Sequence, residues 1–139
     1  MSPLKLQRFG NWLYRHRVPI LPKVVDKVMY LVFNSYLCHP LEIGAGTSLN
    51  KVAGVIIHSQ CKIGENVTLA PRCVITGRSG QKPPTIESGA FIGVNAMVLG
   101  DVTIGAGATV GAGAVVTFDV PPGRVAVGNP AKLLPERQS

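Results

Sequence analysis

A six-residue repeat constrains the fold of this 139-residue chain more than any other feature of its sequence. Large aliphatic side chains recur at every sixth position in two runs, and the second run begins eleven positions after the last residue of the first. They are Ile57, Ile63, Leu69 and Ile75, then Ile86, Ile92, Val98, Ile104, Val110 and Val116. A period of six matches neither the 3.6-residue face of a helix nor the alternation of a single strand. It predicts a short strand plus a corner, repeated along the chain.

Three such hexapeptides close one triangular coil, and successive coils stack at about the 4.8 Å strand spacing. Two earlier repeats begin at Ile43 and Leu49, which makes twelve hexapeptides in all. Twelve hexapeptides predict a mainly β fold, a parallel β-helix of about four coils. Composition supports a division of the chain, since 15 of the 16 Gly follow residue 42 while six of the eight aromatic residues precede it. We therefore divide the chain into an N-terminal helical segment (1–42), a β-helix (43–121) with an extruded loop (76–85), and a C-terminal closing segment (122–139).

The N-terminal segment reads as two helices separated by Pro19 and Pro22. The second has apolar residues at helical spacing, namely Val25, Val28, Met29, Val32 and Tyr36. Residues 1–27 hold +5 of the net charge of +7. A helix that covers the end of the next domain with its charges in water is the favoured interpretation, and weak peripheral membrane contact through residues 5–17 is the alternative.

Three cysteines with no paired spacing predict a reducing environment, so we expect a cytoplasmic protein, with the inner face of the membrane as the peripheral alternative. Cys61 and Cys73 fall where other repeats have Val or Ala and are expected in the core. We expect no secretory signal and no membrane span, since Asp26 and Lys27 interrupt the most apolar run. No nucleic-acid partner is expected, because the positive charge lies on the helical segment and the repeat offers little stacking surface.

The motif Ile-Gly-x-Gly-Ala-x-Val-Gly-Ala-Gly-Ala-Val-Val, at 104–116, resembles the hexapeptide-repeat acyltransferases, which include serine and polysaccharide O-acetyltransferases. The segments at 119–122 and 126–132 resemble that family's closing "VPP" and "GxPAK" motifs, and the resemblance covers residues 41–134. It implies a left-handed β-helix and a homotrimer with acetyl-CoA bound between subunits, without a metal. The implied activity is direct acetyl transfer to a small serine-like or saccharide hydroxyl, with a His as general base.

The resemblance also names positions for that base. In the serine type, the two histidine positions correspond to Lys51, which follows Asn50, and to Pro83. In the galactoside type, the histidine position corresponds to Arg78. None is a histidine here. His58 is the histidine inside the coils, and it precedes Thr76 by 18 residues, or three hexapeptides. We therefore expect His58 to lie one coil, about 4.8 Å along the axis, from the corner that carries the base in the galactoside type. We take His58 as the candidate catalytic base, with a solvated corner histidine as the alternative.

Arg78 and Lys82 lie in the extruded loop and are candidate substrate-binding residues, although a solvated loop with incidental charges is an equal alternative. The resemblance places contacts to the cofactor at Ala112, Thr117 and Lys132, with Lys132 facing the phosphates.

Two further interpretations stay open. One is a non-catalytic hexapeptide-repeat trimer that has lost the usual histidines. The other is a zinc-dependent, carbonic-anhydrase-like β-helix, which would need three imidazoles around one metal where the coils offer His58 alone.

Overall fold

The computed structural model describes residues 3–37, 39–49 and 54–136. Two helices open the chain, α1 (Pro3–Arg15) and α2 (Leu21–Phe33). Fifteen short strands follow: β1 (Tyr36–Leu37), β2 (Glu42–Ile43), β3 (Ser48–Leu49), β4 (Ile56–Ile57), β5 (Lys62–Ile63), β6 (Thr68–Leu69), β7 (Val74–Thr76), β8 (Thr85–Ile86), β9 (Phe91–Ile92), β10 (Met97–Leu99), β11 (Thr103–Ile104), β12 (Thr109–Val110), β13 (Val115–Val116), β14 (Val125–Val127) and β15 (Lys132–Leu133). No helix in the described ranges is long and apolar enough to cross a bilayer.

The strands form three sheets in which neighbours are about one coil apart in sequence. Sheet A has the order β1-β4-β7-β10-β13, sheet B the order β2-β5-β8-β11, and sheet C the order β3-β6-β9-β12-β14-β15. All pairings are parallel except that of β15 with β14. Three sheets traversed in turn form a parallel β-helix of about four coils, which confirms the predicted fold.

The second residue of each coil strand points inward, so that the repeated aliphatic position builds the core. Ile57, Ile75 and Val98 stack in register on sheet A, and each is 0% exposed. Small residues such as Cys73 and Ala96 fill the corners and are equally buried. Each fully buried aliphatic side chain contributes roughly 1.5–3 kcal/mol, so the stack is the main source of stability.

At two of the three corners, residues in the left-handed backbone conformation stack in a column from coil to coil, with φ between 48° and 75°. The column between sheets B and C contains Gly46, Asn66, Gly89, Gly107 and Gly123. The column between sheets C and A, here the A–C corner, contains Asn34, Gly54, Arg72, Asn95 and Gly113. Gly and Asn adopt this conformation at the lowest cost. Arg72 departs from that rule.

The parallel stack extends past both predicted boundaries of the β-helix. β1 pairs with β4 ahead of residue 43, and β14 pairs with β12 beyond residue 121. Tyr36, expected on the second helix, therefore lies in a strand. The reason is local: Asn34 ends α2 with φ 48°, and the Tyr36 amide then donates to the Val55 carbonyl at 2.8 Å.

Helix α1 covers the first coil, as the favoured interpretation predicted. The carboxamides of Gln7 and Asn11 both donate to the Leu41 carbonyl, at 2.8 and 2.9 Å. The Arg8 guanidinium donates to the Gly44 carbonyl at 3.2 Å, and Arg15 pairs with Glu42 at 3.0 Å. Two of the helix's basic side chains thus contact the coil rather than water alone.

One buried histidine connects both helices to the start of the coils. The His39 Nε2–H donates to the Gln7 carbonyl at 3.1 Å, and Nδ1 lies 2.7 Å from Asp26 Oδ1 on α2. The His39 side chain is 2% exposed. Burial raises the pKa of Asp26, and the nearby His39 ring opposes that shift. This imidazole therefore links both helices to the start of the coils, in addition to the side-chain contacts of α1.

Close approach between coils leads to the first prediction. A Cβ at Gly93 would lie 2.6 Å from the Ala112 amide nitrogen, in backbone that cannot move aside without disturbing the next coil. Replacing Gly93 by Ala should lower the free energy of unfolding by about 1–3 kcal/mol, as measured by urea denaturation.

Gly107→Asn is the matched control. Gly107 has φ 66°, and its added Cβ would meet nothing within 4 Å. We expect a change within about 0.5 kcal/mol there. Equal losses at both positions would contradict the role assigned to close coil contact.

Candidate functional site

One corner of the prism holds four of the predicted site residues, at the corner itself or beside it. They are His58, Arg78, Lys82 and Thr117. The register of sheet A places His58, Thr76, Leu99 and Thr117 in a column at the A–B corner, where the chain leaves sheet A for sheet B. His58 and Thr117 are exposed, and three coil steps separate them by about 14 Å. The loop 77–84, which holds Arg78 and Lys82, leaves the same corner directly after Thr76.

The His58 ring has one defined hydrogen bond. The Gln60 backbone N–H donates to His58 Nδ1 at 3.2 Å, so the neutral ring has its proton on Nε2. Among the described residues, no carboxylate forms an ion pair with this ring. A base role for His58 therefore requires that Nδ1 exchange the Gln60 hydrogen bond for a substrate hydroxyl.

The extruded loop folds toward the coil beyond Thr76 and away from His58. Its turn is closed by a hydrogen bond from the Gln81 amide to the Arg78 carbonyl at 2.9 Å. A Cβ at Gly100 would lie 2.8 Å from Gln81 Oε1 and 3.6 Å from Arg78 Cδ, so both side chains lie beside the next corner of the column. Arg78 is thus positioned between the levels of Thr76 and Thr117.

Ala112 and Lys132 lie at the opposite edge of sheet A, at the A–C corner. Ala112 is exposed between β12 and β13, and Lys132 is exposed on β15, paired with Val127. The Ala131 amide donates to the Val115 carbonyl at 3.0 Å, which draws the closing segment over the last coil. A Cβ at Gly113 would meet nothing within 4 Å. Small side chains, open space and a cation suit the thin arm and phosphates of a CoA molecule.

The structure does not bring all the predicted residues together within one chain. His58, Arg78, Lys82 and Thr117 flank one edge of sheet A, whereas Ala112 and Lys132 flank the other. Of the positions where the resemblance expects histidine, Arg78 and Pro83 lie in the extruded loop, while Lys51, with Asn50, lies outside the described residues. In the described part of the chain, no three His, Cys, Asp or Glu side chains are grouped as metal ligands.

Sequence reasoning missed a cleft of about 390 Å³ at the A–C corner. Its described lining is Asn34, Gly54, Pro71, Arg72, Val94 and Asn95. The signal that could have revealed it is Arg72 itself, a bulky cation at a corner where the other coils have Gly or Asn.

Parallel sheets, inward aliphatic stacks and repeated corners define a hexapeptide-repeat β-helix protein. The family model described as "Bacterial transferase hexapeptide (six repeats)" matches residues 83–117. The repeats of this chain are therefore similar to those of the bacterial hexapeptide-repeat transferases.

The curated proteins that are similar to this chain include serine acetyltransferases. The one from Bacillus subtilis is 35% identical over 131 residues, which is 91% of this chain and 60% of the relative. The one from Synechococcus elongatus is 28% identical over 134 residues, 94% of this chain and 55% of the relative. The chain thus spans little more than half the length of these relatives.

Solved structures agree with the sequence comparison. The soybean serine acetyltransferase apoenzyme superposes with a TM-score of 0.89 at 34% identity, over 95% of this chain and 56% of that one. The Neisseria gonorrhoeae serine acetyltransferase in complex with serine gives a TM-score of 0.88 at 31% identity, over 94% of this chain and 54% of that one. The likeness includes both helices as well as the coils, because it covers nearly the whole chain.

The second prediction concerns Cys61 and Cys73, which are buried as expected. Burial raises the pKa of each thiol to about 12. At pH 8 only about one thiol in ten thousand is then ionised, far fewer than at the ordinary pKa of about 8.5. Peptide mapping after iodoacetamide treatment should find neither cysteine modified in the time that fully labels the urea-unfolded chain. Native labelling at the unfolded rate would contradict the assignment of both thiols to the core.

Proposed function

We propose that this chain is an acetyl-CoA-dependent O-acetyltransferase that acts on a small hydroxyl acceptor, either serine-like or a saccharide. The observation that supports it most is the match of 95% of the chain, at 34% identity and TM-score 0.89, to a serine acetyltransferase. The free thiols of Cys61 and Cys73 support the cytoplasmic location that the proposal includes. Membrane contact through residues 5–17 is not part of it, because Arg8 and Arg15 contact the first coil.

The proposal includes a homotrimer with the CoA site between subunits. The outer face of sheet A supports this, since its register column is apolar in all five strands. This apolar ladder consists of Tyr36, Ile56, Val74, Met97 and Val115. The equivalent outer column of sheet B is Glu42, Lys62, Thr85 and Thr103.

Packing through sheet A would set the A–B corner of one copy against the A–C corner of the next. Such a contact joins two different surfaces, and repeated contacts of that kind close into a ring when the rotation permits. The residues that lie apart in one chain, Thr117 and His58 on one edge and Ala112 and Lys132 on the other, would then face each other across a shared groove.

In this mechanism the acceptor hydroxyl oxygen attacks the thioester carbonyl carbon. His58 takes the hydroxyl proton through Nδ1, after that nitrogen has exchanged the Gln60 hydrogen bond, and returns the proton to the departing CoA sulfur. Lys132 binds the CoA phosphates, while Ala112 and Thr117 contact its arm. Arg78 and Lys82 hold the acceptor from the extruded loop.

A second candidate is a non-catalytic hexapeptide-repeat trimer. Two observations favour it. Lys51, Arg78 and Pro83 occupy the family's histidine positions, and His58 Nδ1 is already engaged with the Gln60 amide. CoA release with a panel of serine and sugar acceptors separates the two, because a non-catalytic protein releases no thiol above the buffer rate.

The third prediction tests the base. His58→Ala should lower kcat for CoA release about 100-fold or more, since general base catalysis contributes at least that much. His16→Ala is the control, because His16 is exposed on the basic segment and hydrogen-bonded to the Trp12 carbonyl. It should turn over at the wild-type rate. Unchanged turnover in His58→Ala would remove His58 from the mechanism.

The fourth prediction tests the apolar ladder. Met97→Glu places a charge in its centre and should convert a species of three times the 14.7 kDa chain mass into monomers, measured by sedimentation equilibrium. Lys62→Glu, on the outer face of sheet B, should leave the mass unchanged. A wild-type chain that sediments as a monomer would overturn the proposed assembly.

A further inference from the structure

Arg72 has a backbone conformation that suits other residues better. It has φ 61°, in the left-handed region, and belongs to one of two corner columns of five residues each. The other nine residues in those columns are Gly or Asn. Left-handed backbone is unfavourable for a residue with a long side chain, and such positions are concentrated at functional sites. The backbone alone would favour Gly or Asn at position 72.

The Arg72 guanidinium also lacks a structural partner. Within the part of the chain that the structure describes, no hydrogen bond or ion pair engages it. Its stem packs on the preceding coil, where a Cβ at Gly54 would lie 3.3 Å from Arg72 Cγ. Arg72 is thus an exposed cation whose backbone conformation is unfavourable and whose guanidinium does not stabilise the fold. Its guanidinium is available to bind a ligand.

The cleft around this side chain is suited to an anion. It measures about 390 Å³, within the usual range for small-molecule sites. Asn34 and Asn95 add two carboxamides to the lining, and no acidic side chain is found among the described lining residues. Arginine presents a planar fork of donors that matches carboxylate and phosphate oxygens.

The cleft lies on the same corner as the candidate cofactor contact Ala112. Asn95 and Gly113 follow Arg72 in register, one and two coils farther along, so the Ala112 level is about 10 Å from Arg72. We propose that Arg72, in the A–C cleft, binds the carboxylate or phosphate of an anionic acetyl acceptor. This inference rests on the proposed function and narrows its acceptor class from serine-like molecules and saccharides in general to hydroxyl compounds that carry a carboxylate or a phosphate.

The test compares three hydroxyl compounds of similar size: D-glycerate, glycerol 3-phosphate and glycerol. Isothermal titration of the full chain should show binding of one or both anions and none of glycerol. Arg72→Asn should weaken anion binding at least tenfold while raising the melting temperature, because Asn relieves the left-handed backbone. Arg72→Lys keeps the charge without the fork and should show a smaller loss.

Arg17→Asn is the matched control, since Arg17 is also exposed and has φ 53°. It should raise the melting temperature without changing anion binding. In the CoA-release assay, Arg72→Asn should raise the KM of the anionic acceptor and leave the KM of acetyl-CoA unchanged.

The outcomes separate this inference from the proposed function. Anion binding that depends on Arg72 without any CoA release would support the cleft and overturn the acetyltransferase. Absence of anion binding to the wild-type chain, or binding that survives Arg72→Asn, would overturn the cleft. Loss of the oligomer together with anion binding in Arg72→Asn would also overturn it, by making Arg72 a contact between subunits. The tighter of the two anions identifies carboxylate or phosphate as the group recognised.

Discussion

Backbone hydrogen bonds between successive coils are the interaction on which the rest of this structure depends. The coil of β8, β9 and β10 joins the next coil on all three sheets, through amides of Glu87, Phe91 and Met97 that donate to carbonyls at 2.8–2.9 Å. With the spacing of coils set in this way, each strand must alternate one inward and one outward side chain. The corners must also accept backbone from the neighbouring coil at close range, which is why Gly93 cannot gain a methyl group freely.

This constraint explains why the fold could be predicted so fully from the sequence. The inward position repeats at six because each strand and corner together use six residues, and the count of repeats yields the number of coils. The ends were harder to predict. β1 precedes the first recognisable repeat and has only two residues, and the inward residue Val120 follows Val116 by four positions rather than six. A strand of two residues has no periodicity of its own, so only its hydrogen-bonded neighbour reveals it.

The sequence names candidate site residues one by one but does not show how they are arranged. Ala112 and Thr117 are five positions apart in sequence, yet the strand β13 between them places them on opposite edges of sheet A. Motif matching cannot show that separation, because it does not follow the chain around the corner. Nor could the sequence show which nitrogen of His58 is protonated, since that depends on the Gln60 amide two residues later. The split between two edges, together with the apolar face between them, makes an assembly the simplest way to complete a site.

A regular scaffold makes its departures informative. Where the coils demand only a turn, the chain has Gly or Asn, and the backbone cost is low. Two departures stand out: Arg72 at the A–C corner and the extruded loop 77–84 at the A–B corner. Stacking of the coils requires neither feature, because the neighbouring coils have Gly or Asn in place of Arg72 and have no extruded loop. Both flank the apolar face of sheet A, from opposite edges. If copies of the chain pack through that face, the two departures from the repeat converge on one groove, and the most irregular parts of each chain become the walls of a shared site.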